Sequence, residues 1–317
     1  MLPAGRTSPL DAGLYLESHV PGFKEIVDAV HVLGQKIGIQ LNHPGRKASA
    51  MALEKGVNAR IATVEEGGWP DEVVGPSPLK WQEGYVLPRE MTLEDINAVV
   101  KGFVNAARRA VEAGFDVVEI HAAHGYLISS FLSPSSNLRT DAYGGSFENR
   151  TRLLKKIVIV LRETIPNTMP LFVRISATDW MEHSPSTLQW TLEDSVKLAH
   201  DLNGLGVDLL DVSSGSNNLF QQIPPHTEYQ IDIAAVIRAS LRKAGKSMLV
   251  GAVGRIDNAI VARDTVQLNA DGEAKADVTL VGRQFLRDPS FVLNVAKELG
   301  VRVQWPVQYW RAAPMRD

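Results

Sequence analysis

The run from Asp116 to Tyr126, DVVEIHAAHGY, passes from a short apolar stretch into His121 and His124, with Tyr126 two residues further on. A β-type run followed by two imidazoles three residues apart sets both rings at one strand end, where they can face a single ligand. Two imidazole N–H groups suit a developing oxyanion. A tyrosine, with an ordinary pKa of about 10, suits proton donation to a carbanion-like centre better than base catalysis at neutral pH. Packed loop histidines are the plain alternative for His-x-x-His taken alone. Zinc is another, but the chain has no cysteine and no third ligand stands at a recognised spacing, so the reading carries no metal.

Polar groups recur in other apolar runs: Gln40 in KIGIQLNH (36–43), Arg174 in LFVRIS (171–176) and Asp211 in VDLLDVSS (207–214). Arg174 shares a strand face with Phe172 and Ser176 and so points inward, where a lone guanidinium is strongly unfavourable. An anionic ligand resolves that cost, and so does pairing with Glu119 or Asp211. Near the C-terminus, GAVG (251–254) and Gly282-Arg283 close the last two apolar runs. Backbone amides plus one arginine there make a phosphate site of the kind parallel barrels place after their last strands. The plain alternatives are a Gln40 bonded to neighbouring backbone and a GAVG that is only a tight strand exit.

The elements that must position these groups follow from hydrophobic pattern. Six Val/Ile/Leu-rich runs, at 36–42, 116–121, 171–176, 207–213, 248–253 and 277–282, read as strands, and their continuous apolarity predicts cover on both faces. Helical patterns at 20–33, 92–113, 146–164, 191–205, 231–244, 256–265 and 289–299 alternate with them. Thr92, Ser146 and Thr191 each precede acidic first turns and read as N-caps. Such alternation predicts a parallel α/β fold in one domain over 1–317, with a Gly/Pro-rich excursion at 47–89 acting as a lid or binding loop. A closed barrel of this type has eight strands. The chain opens on a loop, MLPAGRTSP, that leads straight into a helix, so the expectation is a (β/α)8 barrel lacking its first two β/α units.

Composition narrows the function class. A net charge of −3 without a long basic run argues against nucleic acid or an anionic membrane as partner and points to a small molecule. The absence of cysteine removes disulfides, iron–sulfur clusters and thiol nucleophiles together. No apolar run approaches the roughly 20 residues that span a bilayer, and no signal peptide opens the chain, so a cytoplasmic location is expected. Asn137, Arg139, Asp141 and the turn at 143–146 are dense and polar, but turn and cap hydrogen bonding accounts for them. The glycosylation-like Asn149-Arg150-Thr151 falls inside a predicted helix and is discounted.

Taken together, IQLNHPGRKA (39–48), EIHAAHGYLISSFLSPSSNLRTDAYGGSFENRTR (119–152), LFVRIS, GAVG, VGRQFLRDP (281–289) and PVQYWR (306–311) resemble the Old Yellow Enzyme family of flavin-dependent ene-reductases, in its bacterial-type branch. The resemblance implies a (β/α)8 barrel that binds FMN at the carboxyl ends of its strands. It implies that Gln40 bonds the flavin's pyrimidine edge, that Arg174 lies near N1 and favours the anionic reduced form, and that Gly254, Gly282 and Arg283 hold the phosphate. His121 and His124 would bind the substrate's carbonyl or nitro oxygen, and Tyr126 would protonate the α-carbon. The implied reaction is reduction of an activated C=C bond, with NAD(P)H as reductant. Arg311 resembles an arginine that this branch inserts into a neighbouring subunit's site, which implies a homodimer or larger assembly. Two other classes compete: a catalytically silent barrel remnant that holds no FMN, and a non-redox barrel enzyme acting on a phosphorylated substrate.

Overall fold

In the computed structural model, which describes residues 2–52, 60–184 and 188–312, six parallel strands form one sheet: β1 (Gly38–Leu41), β4 (Val117–Ala122), β5 (Leu171–Ser176), β6 (Leu209–Ser213), β7 (Leu249–Val253) and β8 (Val278–Leu280). They pair in chain order and the sheet curls into a half-barrel. Among the described residues β1 and β8 each have one neighbour, so the sheet does not close. A separate two-stranded parallel pair, β2 (Val74–Gly75) and β3 (Arg89–Glu90), belongs to the excursion after β1, whose residues 53–59 lie outside the described set.

Helices α1 (Val20–Val32), α2 (Leu93–Ala113), α4 (Phe147–Thr164), α5 (Leu192–Gly204), α6 (Tyr229–Lys243), α7 (Ala259–Val266) and α9 (Phe291–Glu298) stand where the periodicity predicts helices. The caps form as expected. Thr92 and Thr191 make full capping boxes with Asp95 and Asp194, and the Ser146 hydroxyl accepts from the Asn149 N–H. Each such cap contributes about 1 kcal/mol. Two short helices escape the pattern, α3 (Leu127–Leu132) and α8 (Arg283–Arg287). Every residue of α3 is buried, so it has no polar face from which a period could be read.

The two faces of the sheet differ, which corrects the expectation of cover on both. Val118, Ile120, Val173, Ile175, Leu210, Val212 and Val250 point outward and are fully buried beneath helices that include α2, α4, α5 and α6. The concave face instead carries Gln40, Glu119, His121, Arg174, Asp211 and Ser213, and Leu249 on it is 43% exposed. Alternation was present in the strands, but the small number of polar residues per strand hid it. Strand register sets His121, Arg174, Asp211 and Gly251 in one row across four strands, with Gln40 opposite Glu119 one pleat earlier.

Candidate active site

The chemistry-bearing turn follows β4. His121 is the second-last strand residue, and His124 and Gly125 then take left-handed backbone, with φ of 58° and 67°. A Cβ on Gly125 would lie 2.4 Å from the Ser216 carbonyl oxygen and 3.0 Å from Asn217 Cα, so only glycine fits. A histidine in this conformation is held from outside: its N–H donates to Ser176 Oγ (2.8 Å), and Lys47 Nζ donates to its carbonyl (2.8 Å) and to that of Ser216 (2.7 Å). Lys47 also lies 3.5 Å from the centroid of the Trp81 ring. Burial lowers its pKa to about 7, with the neighbouring Arg46 adding to the effect.

One backbone amide sets the protonation pattern of the histidine pair. The Ala123 N–H donates to His121 Nδ1 (3.2 Å), which leaves the neutral ring's proton on Nε2. That nitrogen faces His124 Nδ1 (3.3 Å), and His124 Nε2 faces Ser213 Oγ (2.8 Å). The chain continues through the Gln230 amide, which accepts from Ser213 Oγ (3.4 Å) and also from Ser214 Oγ (2.8 Å) and donates to the Val253 carbonyl (2.8 Å). Burial, mutual repulsion and the positive Arg174 and Lys47 lower His121 to about 3, and burial, Arg174 and Lys47 lower His124 to about 4. Both rings are therefore neutral at pH 7 and present one Nε2–H each. Tyr126 stacks at a tilt on His121, ring centroids 4.9 Å apart, and its hydroxyl bonds Thr7. Burial raises its pKa, so it keeps its proton at neutral pH.

Beside His121 in the same row, Arg174 is paired and not alone: its Nε lies 3.1 Å from Asp211 Oδ2. The contact is close but poorly directed, because Nε makes no hydrogen bond and Asp211 Oδ1, also buried, has no partner among the described residues. Burial lifts the Asp211 carboxyl to about 7 against the pull of Arg174. Gln40 donates to Glu119 (2.6 Å), whose pKa burial also raises.

Two clefts flank the histidine pair. A cleft of about 800 Å³ runs from His124, Arg174 and Ser213 to Gly254, Gly282 and Arg283. Another, of about 400 Å³, is bounded by the N-terminal loop and holds Gln40, His121 and Tyr126 with Thr7 and Asp11. The predicted residues thus meet at the carboxyl ends of the strands but divide between two sides of one ridge. Arg311 stands apart, exposed on a 3-10 turn (Val307–Ala312) and lining neither cleft. Lys47, Ser213 and Gln230 are functional candidates that sequence reasoning passed over. Lys47 carried a usable signal as part of IQLNHPGRKA; Gln230 sits in an ordinary amphipathic helix and carried none.

These residues fit a flavin nucleotide. Gly254 takes φ 115°, a backbone conformation strained for any residue with a Cβ, and a Cβ there would also lie 2.3 Å from Gln230 Nε2, so the strand exit that lines the larger cleft favours glycine. The unsatisfied Asp211 Oδ1 and Arg174 Nε leave polar capacity on the concave face, and Arg255, Arg283 and Arg287 line the outer part of the same cleft. A polar ring edge over Arg174 and a phosphate beside the arginines match that donor set.

The family profile described as NADH:flavin oxidoreductase / NADH oxidase matches residues 1–301. The chain is 44% identical to an NADH:flavin oxidoreductase of Gibberella zeae over 308 residues, 95% of this chain and 72% of that one. It is 41% identical to the NADPH dehydrogenase of Geobacillus thermodenitrificans over 309 residues, 98% of this chain and 80% of the other. Among solved structures, a 2-naphthoyl-CoA reductase in complex with 2-naphthoyl-CoA superposes with a TM-score of 0.77 at 27% identity, covering 94% of this chain and 43% of that one. Morphinone reductase in complex with tetrahydroNAD gives 0.69 at 25% identity, covering 96% and 77%. With the histidine pair, the guanidinium floor and the glycine-bounded cleft in place, the chain belongs to the NADH:flavin oxidoreductase / NADH oxidase family, the FMN-dependent, NAD(P)H-using oxidoreductases of the Old Yellow Enzyme type.

Proposed function

We propose that this protein reduces activated C=C bonds, in enones, nitroalkenes or a biosynthetic intermediate, with hydride that originates in NAD(P)H. The observation that carries the reading is the convergence of two neutral imidazole N–H donors and one protonated phenol within six residues of a strand end, beside Arg174. Bound FMN supplies the hydride. Gln40 and Arg174 would hold its polar ring edge, and Gly254, Gly282 and Arg283 its phosphate.

His121 and His124 would each turn their Nε2–H from the present acceptors, His124 Nδ1 and Ser213 Oγ, to the substrate's carbonyl or nitro oxygen. Neutral donors lower the energy of the developing oxyanion without surrendering a proton. Tyr126 would then deliver its phenolic proton to the α-carbon, from the opposite side of the His121 ring. Arg311, placed outside its own chain's clefts, would serve the site of a neighbouring copy, in a homodimer or larger assembly. No helix among the described residues is long and apolar enough to cross a membrane, and a cytoplasmic location is part of the proposal.

The test is a visible spectrum of the purified protein, followed by anaerobic NADPH and then an enone. A yellow protein that bleaches with NADPH and recolours with the enone supports the reading. A colourless protein whose thermal stability is unmoved by added FMN sinks it, and so leaves the silent-remnant alternative. Stabilisation by inorganic phosphate without FMN uptake would favour a non-redox barrel enzyme.

A further inference from the structure

The concave face of the sheet places two carboxylates around one guanidinium. Arg174 has Asp211 beside it on β6, at 3.1 Å, and on its other side in the same row the neutral His121 of β4. Glu119, one pleat earlier on β4, has its own donor in Gln40 at 2.6 Å. Asp211 has none: it is 3% exposed and its Oδ1 has no hydrogen-bond partner among the described residues. From β7 it meets only Gly251, so the charged groups acting on it are Arg174, in its favour, and Glu119, against it. Among the described residues its ionised form therefore depends on Arg174 alone. Any anion that competes for that guanidinium removes the one interaction keeping Asp211 charged, and adds repulsion.

Resting on the flavin reading above, we propose that Asp211 is a proton-linked counter-charge: it neutralises Arg174 while the flavin is oxidised and uncharged, and takes up a proton from solvent when the reduced flavin becomes anionic. The balance is explicit. Reduction delivers two electrons and one proton to the flavin, both as hydride from NAD(P)H or, in a titration, as electrons from dithionite with the proton from solvent, and a second proton from solvent converts the Asp211 carboxylate to the acid. The net charge of the Arg174 floor then rises by one as the flavin's falls by one. By linkage, the site's preference for reduced over oxidised flavin weakens as pH rises through the titration of Asp211. Asp211 acts here as a positioning residue for charge, through Arg174, and touches no reacting atom.

Two measurements test this. In the flavin-loaded protein, the midpoint potential plotted against pH should steepen by about 30 mV per unit above pH 7, the two-electron equivalent of one extra proton. In Asp211→Asn that break should vanish, with the potential lying above wild type in the alkaline range, while Glu119→Gln keeps the break. Persistence of the break in Asp211→Asn overturns the proposal. In the FMN-free chain, infrared difference spectroscopy should find a carboxyl titrating near pH 7 that is absent in Asp211→Asn and moved upward in Arg174→Gln. An infrared titration left unchanged by Asp211→Asn would refute the proposal independently. Failure to take up FMN would count against the functional reading, while the infrared result still decides the role of Asp211.

Discussion

Gly125 offers the sharpest test of how the site is built. Alanine there must adopt φ near 67°, which costs about 1–2 kcal/mol for a residue with a Cβ. Its methyl would also meet the Ser216 carbonyl oxygen at 2.4 Å and Asn217 Cα at 3.0 Å, both backbone, with Lys47 Nζ at 3.1 Å. Neither backbone atom can rotate away, so the β4 and β6 exit turns must separate, at a further cost of roughly 1–3 kcal/mol. Together these predict a destabilisation of roughly 2–5 kcal/mol, a fall in melting temperature of about 5–15 °C at this chain size. The separation also moves His124 relative to Ser213 and Arg174, and a displacement on the order of 1 Å costs about a hundredfold in rate. Differential scanning fluorimetry and steady-state enone reduction measure both quantities. A Gly125→Ala protein that melts within a degree or two of wild type would show that the two turns are not in contact as described.

The remaining predictions concern proton handling. Tyr126→Phe should leave NADPH-driven bleaching of the flavin intact while slowing enone reduction about 10²–10⁴-fold, read by stopped-flow on the separate half-reactions; equal loss in both would remove tyrosine from the proton step. His43, His121 and His124 have folded-state pKa values lowered to about 4, 3 and 4 by burial, so between those values and about 6.5 the unfolded chain binds more protons than the folded one. The contribution of these three histidines to stability therefore falls as pH drops below about 6.5, opposed over the same range by Asp211, whose raised pKa favours the folded state as it takes up a proton. Chemical denaturation of a His121→Gln, His124→Gln double variant should show a shallower acid limb than wild type. Lys47, lowered to about 7, loses its ammonium as pH rises through that value, and with it positive potential beside the oxyanion. kcat/KM should decline on the alkaline side, and Lys47→Met should start lower and lack that limb; an unchanged profile would assign Lys47 a packing role only.

Strand and helix positions were legible because they rest on interactions between near neighbours in the chain. Thr92 caps a helix whose first-turn acid is three residues away, and DVVEI is apolar enough to be a strand before any partner is known. The identity of the chemistry was legible for a similar reason, since His121, His124 and Tyr126 lie within one turn and their types restrict what they can do. Helix α3 was not legible, because burial on every side erases periodicity. Nor was the polar concave face, since one or two ionisable groups per strand do not interrupt an apolar run.

Sequence alone therefore determined the parallel α/β alternation, the six strands, the family resemblance and the residues at the strand ends. Tertiary structure decided which of those residues meet and in what charge state. Lys47 reaches Ser216 across 169 residues, and the pairing of Arg174 with Asp211 comes from the register of two strands. The proton on His121 Nε2 follows from a single amide that the turn aims at its ring. Charge state depends on burial and on neighbours brought together by folding, and burial is a property of the packed sheet and its helices that no local stretch of chain contains.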